Sequence, residues 1–315
     1  MLNIAISAEF SLAEKLIENL ELSSLEIEKI TAVEIYPFSE EQGLRFKNKS
    51  VTQIEVEKVD WSAFTYVFFA GDISKATYLA KAAESGCIVI DILGLCADIA
   101  DVPVIIPNMN NNQLIELRQR NIVALPNPQV TQCALSIANI IKNLSIHQLT
   151  ITSLLPASYE NEESVTKLAG QTARLLNGIT LDDNEQRLAF DVFPKQSINL
   201  NMQLKKIFSE LDNIVFHQIQ VPVFYGIGQL ITLKSDYLID PDIVIADWKD
   251  NEYISYHDEK VITPVTNSEV ENSEAIPKLH ISNINSIENG IQFWTVADEQ
   301  RFNLAFMAVK LAELI

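Results

Sequence analysis

The stretch Leu125-Pro126-Asn127-Pro128-Gln129-Val130-Thr131-Gln132-Cys133 has the layout of an active-site turn. It follows an apolar, strand-like run from Asn121 to Leu125 and opens a helical pattern carried by Ala134, Ile137, Ala138, Ile140 and Ile141. A thiol in the first turn of such a helix is stabilised as its thiolate by unpaired backbone N–H groups and the positive end of the helix dipole. The position holds Val130, which can neither attack a carbonyl nor carry an acyl group. The nearest thiol, Cys133, lies three residues on, about 4.5 Å further along the axis. Nucleophilic attack needs its reacting atoms within about 3–3.5 Å in a fixed orientation. Cys133 therefore reads as a member of the buried helix stripe.

The elements around this turn follow from hydrophobic periodicity. Asn3 to Ile6 reads as a first strand, Leu12 to Leu22 as an amphipathic helix and Thr31 to Tyr36 as a second strand. Phe64 to Phe69 and Cys87 to Ile90 are continuous apolar runs, the mark of parallel strands buried on both faces. Ser74 to Glu84 reads as the crossover helix between them. Alternating strands and helices predict an α/β fold, a Rossmann-like doubly wound parallel sheet, over residues 1–127. The second half, 128–300, predicts an α+β domain. Gln148 to Leu155, Ile214 to Val223 and Gln229 to Leu233 are its long strands, and the tight Tyr225-Gly226 connection predicts a hairpin-like pairing. Ser164 to Leu176 and Asn201 to Leu211 are its helices, and the polar stretch Asn251 to Lys278 is expected to be loop-rich. A final helix over 301–315 is expected to return to the first domain.

Composition bounds the function. With 23 basic against 42 acidic residues and a net charge of −19, the chain lacks the basic surface that nucleic acid and anionic membranes require. Hydrophobic residues at 48% and charged residues at 21% fit a folded globular protein. The most apolar segment, Cys87 to Pro107, is broken by Asp91, Asp98, Asp101 and Pro103, so no membrane span is expected. Three scattered cysteines give no disulfide framework, no signal-peptide pattern opens the chain, and a cytoplasmic location is the expectation. Asp182, Asp183 and Asp191 have no histidine nearby and read as solvated loop carboxylates, so no metal is expected.

Several strings together resemble the aspartate-semialdehyde dehydrogenase family. They are Gly86-Cys87-Ile88-Val89-Ile90-Asp91, Asp101-Val102-Pro103-Val104-Ile105-Ile106-Pro107, Leu125-Pro126-Asn127-Pro128, Leu168-Ala169-Gly170-Gln171, Val221-Pro222-Val223-Phe224-Tyr225-Gly226 and Phe293-Trp294-Thr295-Val296-Ala297-Asp298. The stretches Ala169 to Gly178 and Gln220 to Gly226 look most like its usg-type paralogues. The resemblance implies reduction of an acyl phosphate with NADP through a cysteine thioester, and a dimer formed through the second domain. Residue by residue, it also implies what is missing. Val130 stands at the family's nucleophile and Ile227 at its histidine base. Ser153 stands at the substrate-orienting glutamine, Ala97 at the phosphate arginine, and Asn283 and Asn285 at the substrate arginines. The glycine-rich nucleotide turn is degenerate at Ala8, Ser11 and Glu14. Glu40 and Glu41 stand where an arginine and a serine would meet the 2′-phosphate. Asparagine cannot reproduce an arginine fork, and two carboxylates repel a phosphate, while an acidic residue there still suits the ribose hydroxyls of NAD.

The expectation is therefore a homologue that has lost catalysis and binds no NADP, acting as a homodimeric binding or scaffold protein, with mixed dimers with a paralogue as a further possibility. The alternative is an active NAD(P)-dependent semialdehyde dehydrogenase of amino-acid biosynthesis that uses Cys133.

Overall fold

The computed structural model describes the chain except residues 40–41, 196–198 and 272–275, with backbone alone for 268–271. It divides into two compact units: Met1–Thr131, Met202–Ile207 and Gln300–Ile315 in the first, Gln132–Asn201 and Phe208–Glu299 in the second. The first unit runs on to Thr131 rather than ending at 127, and it takes in Met202–Ile207.

The first unit is built on a six-stranded sheet. Its strands are β1 (Leu2–Ser7), β2 (Ile27–Glu34), β5 (Thr52–Glu55), β6 (Tyr66–Phe69), β7 (Ile88–Asp91) and β8 (Ile122–Ala124). They lie in the order β5-β2-β1-β6-β7-β8, every pair parallel. A small hairpin of β3 (Arg45–Phe46) and β4 (Lys49–Ser50) precedes β5, turned through Lys47 and Asn48 in the left-handed conformation. Residues Tyr66 to Phe69 and Ile88 to Asp91 are buried along their whole length, because helices cover both faces of a parallel sheet. Helix α1 (Phe10–Leu22) buries Leu12, Ala13, Leu16, Ile17 and Leu20 at helical spacing, and α2 (Ala76–Glu84) buries Leu79, Ala82 and Ala83. The second strand begins at Ile27, earlier than its apolar run, since Leu2 already pairs with Ile27. Backbone bonds, not side chains, carry that polar start.

Helix α3 (Pro128–Asn143) leads into the second unit. There β9 (Ile146–Leu155), β10 (Phe193–Pro194), β11 (Ile214–Gln220), β12 (Ile227–Ser235), β13 (Ile254–His257), β14 (Leu279–Ile287) and β15 (Gly290–Ala297) form a mixed sheet in the order β10-β11-β9-β12-β15-β14-β13. The expected hairpin between β11 and β12 is not formed. β9 lies between them, parallel to β11 and antiparallel to β12. The connection Val221 to Gly226 crosses the end of β9 instead: Val221 N–H donates to Leu155 O at 3.0 Å and Ala157 N–H to Val223 O at 2.8 Å. A short connector can bridge strands two positions apart, about 9.6 Å, and Pro222, lacking an N–H, suits a crossing more than a ladder.

Helix α4 (Glu162–Leu176) starts at an Asn161 cap, whose Oδ1 accepts Ser164 N–H at 2.8 Å. Its Gln171 is buried and accepts Leu188 N–H at 2.7 Å and Ala189 N–H at 3.2 Å, which explains an amide in the Leu-Ala-Gly-Gln string. Helix α5 (Asn201–Ile207) is shorter than expected, and α6 (Pro241–Asp250) follows β12. The stretch predicted to be loop-rich carries the edge strand β13 and helix α7 (Pro264–Glu271), anchored by buried Tyr253, Ile254 and Ile262. The chain closes with a π-helical segment (Glu299–Phe306) and α8 (Met307–Leu314); residues from Gln300 on belong to the first unit.

Along β12, and along β9 beyond Gln148, the face of the mixed sheet that carries Ile151 and Ile231 is buried at every position, and the other is not. Thr150, Thr152 and Leu154 on β9, Val215, His217 and Ile219 on β11, and Leu230, Thr232 and Lys234 on β12 share the open face and remain half-buried or exposed.

Candidate functional site

In the first unit the turn ahead of α3 is closed on itself. Asn127 Oδ1 accepts Gln129 N–H at 3.0 Å, and Asn127 O accepts Val130 N–H at 2.8 Å and Thr131 N–H at 3.0 Å. Pro128 supplies no N–H. The donors that would hold a thiolate are thus engaged within the turn. Val130 itself is 0% exposed. Asn127 N–H donates to Gln203 Oε1 at 2.8 Å, so α5 buttresses the turn.

The same helix deals with the Ala97 loop. Lys206 Nζ donates to Ala97 O at 2.7 Å, Ile99 O at 2.6 Å and Val102 O at 3.3 Å. Burial pulls its pKa down, against the carboxylates of Asp98, Asp101 and Glu116. A cation therefore stands at the loop with no arginine, committed to backbone carbonyls. Gln203 and Lys206 were not singled out from sequence; their spacing of three on one short helix face is the signal that pairs them. Beside them, Asp91 is wholly buried, Oδ2 accepting Cys96 N–H at 2.6 Å, and burial raises its pKa to about 6. Burial and Asp91 push the Cys96 thiol up to about 12.

The nucleotide-type turn lies where β1 parts from β6, the crevice at which such sheets bind ligands. Ala8 is 1% exposed, Ser11 half-buried and Glu14 exposed. Phe10, opening α1, sets its ring edge-on to Phe38, centroids 5.4 Å apart. Tyr36 Oη donates to Asp72 Oδ2 at 3.0 Å and accepts Asp72 N–H at 3.1 Å, bridging the carboxyl ends of β2 and β6. Glu40 and Glu41 lie outside the described residues.

In the second unit, Ile227 opens β12 at 0% exposure. Its carbonyl accepts Gln132 Nε2 at 3.0 Å, and the same nitrogen reaches Thr295 Oγ1 at 3.0 Å. Ser153 faces Gln229 across the β9–β12 ladder, and Gln229 Nε2 donates to Ser153 Oγ at 3.1 Å. Gln229 in turn pairs with Thr295. Gln132, Ser153, Gln229 and Thr295 thus form a strip of neutral polar side chains, each 0% exposed. Gln132 Oε1 has no hydrogen-bond partner among the described residues. The strip can exchange hydrogen bonds with a neutral group but holds no residue that titrates near neutrality. Gln132 and Thr295 were missed from sequence, since neither type signals chemistry by itself.

Next along α3, Cys133 is 0% exposed, and burial alone pushes its thiol far above the ordinary range. Asn283 and Asn285 lie in an exposed bulge of β14, the strand beside Thr295's β15 and three strands from Ser153's β9, about 14 Å. Asn283 is left-handed there (φ 53), and Asn285 Nδ2 donates to its carbonyl at 3.1 Å. The histidines do not converge on the strip either. His217 is exposed on β11, within 3.4 Å of Thr152 Oγ1. His257 Nε2 and His280 Nδ1 lie 2.9 Å apart at the sheet edge, and burial pulls His280 down to about 4. Asp182 lies 3.9 Å from Arg174 at the surface, and no metal-type cluster occurs among the described residues.

No protein-family model matches the chain. It is 56% identical over 312 residues to the USG-1 protein homolog of Haemophilus influenzae, covering 99% of this chain and 96% of that one. It is 31% identical over 222 residues to the aspartate-semialdehyde dehydrogenase of Vibrio mimicus, covering 66% and 70%. The crystal structure of aspartate semialdehyde dehydrogenase II from Vibrio cholerae complexed with ASA superposes with a TM-score of 0.88 at 26% identity, covering 100% of this chain and 98% of that one.

Proposed function

The chain belongs to the aspartate-semialdehyde dehydrogenase family, and from that premise we propose that it is a non-catalytic member, acting as a dimeric binding or scaffold protein. The observation that carries this reading is burial at both family positions: Val130 and Ile227 are aliphatic and 0% exposed. With neither thiolate nor imidazole there, the thioester route has no nucleophile and no base. The remaining thiol does not substitute, because Cys133 is enclosed and held in its neutral form. Native protein treated with iodoacetamide near pH 8 is expected to leave Cys133 unmodified until it is unfolded. Rapid alkylation of native Cys133 would instead support the active-enzyme alternative.

The nucleotide turn does not fit NADP. Ala8 brings a Cβ where the backbone must approach a pyrophosphate, and the Phe10–Phe38 pair and the Tyr36–Asp72 bridge occupy the rim of the crevice. The sequence adds two acids, Glu40 and Glu41, at the 2′-phosphate position. The three cysteines are buried and unpaired, which fits a reducing compartment, the cytoplasm.

The second copy would cover the open face of the mixed sheet. Rows of Thr152, Leu154, Ile219 and Leu230 with few charges suit a protein interface. Sedimentation velocity should return twice the monomer mass, and Leu230→Asp with Leu154→Asp should return the monomer; a monomeric wild type contradicts the dimer. Co-purification of a co-expressed paralogue would indicate the mixed dimer.

A further inference from the structure

One buried carboxyl, outside the positions considered so far, joins three segments of the second unit. Glu299 heads the π-helical segment and is 1% exposed. Its Oε2 accepts Gly226 N–H at 2.9 Å, and its Oε1 is in short contact with the Ser158 hydroxyl. The two turns it touches also bond to each other: Ala157 N–H donates to Val223 O at 2.8 Å and Ser158 N–H to Phe224 O at 3.0 Å. Gly226 is left-handed at φ +92, and an added Cβ there would stand 3.1 Å from Pro264 Cβ, so the turn is braced from its far side as well.

The electrostatic surroundings are acidic. Asp298 is adjacent and 9% exposed, Tyr225 projects from the crossing turn, and Glu162 at the start of α4 acts on the same tyrosine. Near the other turn, Lys195 is paired with Glu160 at 3.2 Å and lies over the Tyr159 ring. Hydrogen bonds from Ser158, Gly226 and its own backbone N–H favour the carboxylate, but burial and the neighbouring Asp298 outweigh them at this depth. A protonated carboxyl there keeps the bond from Gly226 and donates to Ser158 Oγ.

We propose that Glu299 is a pH-operated latch: protonated, it clasps the Ala157–Ser158 and Val223–Gly226 turns to the stretch that follows β15, and ionised, it lets them go. Burial, reinforced by Asp298, raises its pKa to about 7. A carboxyl raised in the folded state contributes its full stabilisation below the ordinary carboxylate range and loses it as pH rises to about 7. The released turn leads straight into Ile227, whose carbonyl is held by Gln132, so ionisation loosens the entry to the buried polar strip. This device is independent of whether the chain retains any catalysis.

The test is hydrogen-exchange mass spectrometry on the full-length protein at pH about 6, 7 and 8, corrected for intrinsic rates. Protection of the segment from Val221 to Gly228 should fall about tenfold over that range in the wild type and stay constant in Glu299→Gln. Constant protection in the wild type, or an equal fall in both, overturns the latch. Should the variant fail to fold, difference infrared spectroscopy of Asp91→Asn, which lacks the other buried carboxyl titrating in this range, decides: a carboxylic C=O band must disappear between pH about 6 and 8, and its persistence or absence throughout overturns the proposal.

Discussion

Replacing Trp248 with alanine will cost about 3–5 kcal/mol of stability, among the largest effects available in the second unit. Trp248 lies on α6 at 3% exposure. Its indole N–H donates to Ser136 O on α3 at 2.8 Å. Its ring meets Phe293 of β15 edge-on at 4.9 Å and stacks on Tyr256 of β13 at 5.9 Å. One side chain therefore joins two helices and two strands on the covered side of the sheet that carries Ser153, Ile227 and Thr295. Alanine removes the ring's transfer free energy and leaves a cavity that helices fixed at both ends cannot collapse into. Trp248→Phe should cost about 1–2 kcal/mol, since it keeps most of the volume and loses the hydrogen bond. Urea unfolding of both variants checks the pair. A loss below about 1 kcal/mol in Trp248→Ala would show that α6 is not held through this ring.

What the sequence could and could not reveal follows from the range of each signal. The parallel sheet of the first unit was legible because strands such as Tyr66–Phe69 are apolar on both faces and helices such as Phe10–Leu22 repeat at helical spacing. Pairing in the second unit was not. The Tyr225-Gly226 turn looks like a hairpin whether its strands touch or, as here, stand either side of β9. The edge strand Ile254–His257 was hidden in a polar stretch because Tyr253, Ile254 and Ile262 are the apolar residues that bury there among the described ones. At the site, the resemblance pointed to Val130, Ile227, Ser153 and Ala97. Burial of Val130 and Ile227 could not be read from their types, because an aliphatic side chain can equally line an open cleft. The groups that brace these places, Gln203, Lys206 and Gln132, lie far along the chain from the partners they hold, and no local pattern connects them.

The second large effect concerns turnover. Wild-type protein should oxidise aspartate semialdehyde with NADP in phosphate at least about 10⁴-fold more slowly than a relative with its thiol and imidazole, since residues that act as a unit fail together. Restoring Val130→Cys alone should recover nothing measurable: the N–H groups of the turn stay bonded to Asn127, no histidine stands at Ile227, and Lys206 stays committed to the Ala97, Ile99 and Val102 carbonyls. The most direct measurement is that assay itself, at high protein concentration, following absorbance of the reduced cofactor in wild type and Cys133→Ala side by side. The account predicts no enzyme-dependent signal in either. Turnover in the wild type that vanishes in Cys133→Ala would contradict it, and would mean that the nucleophile has moved along α3.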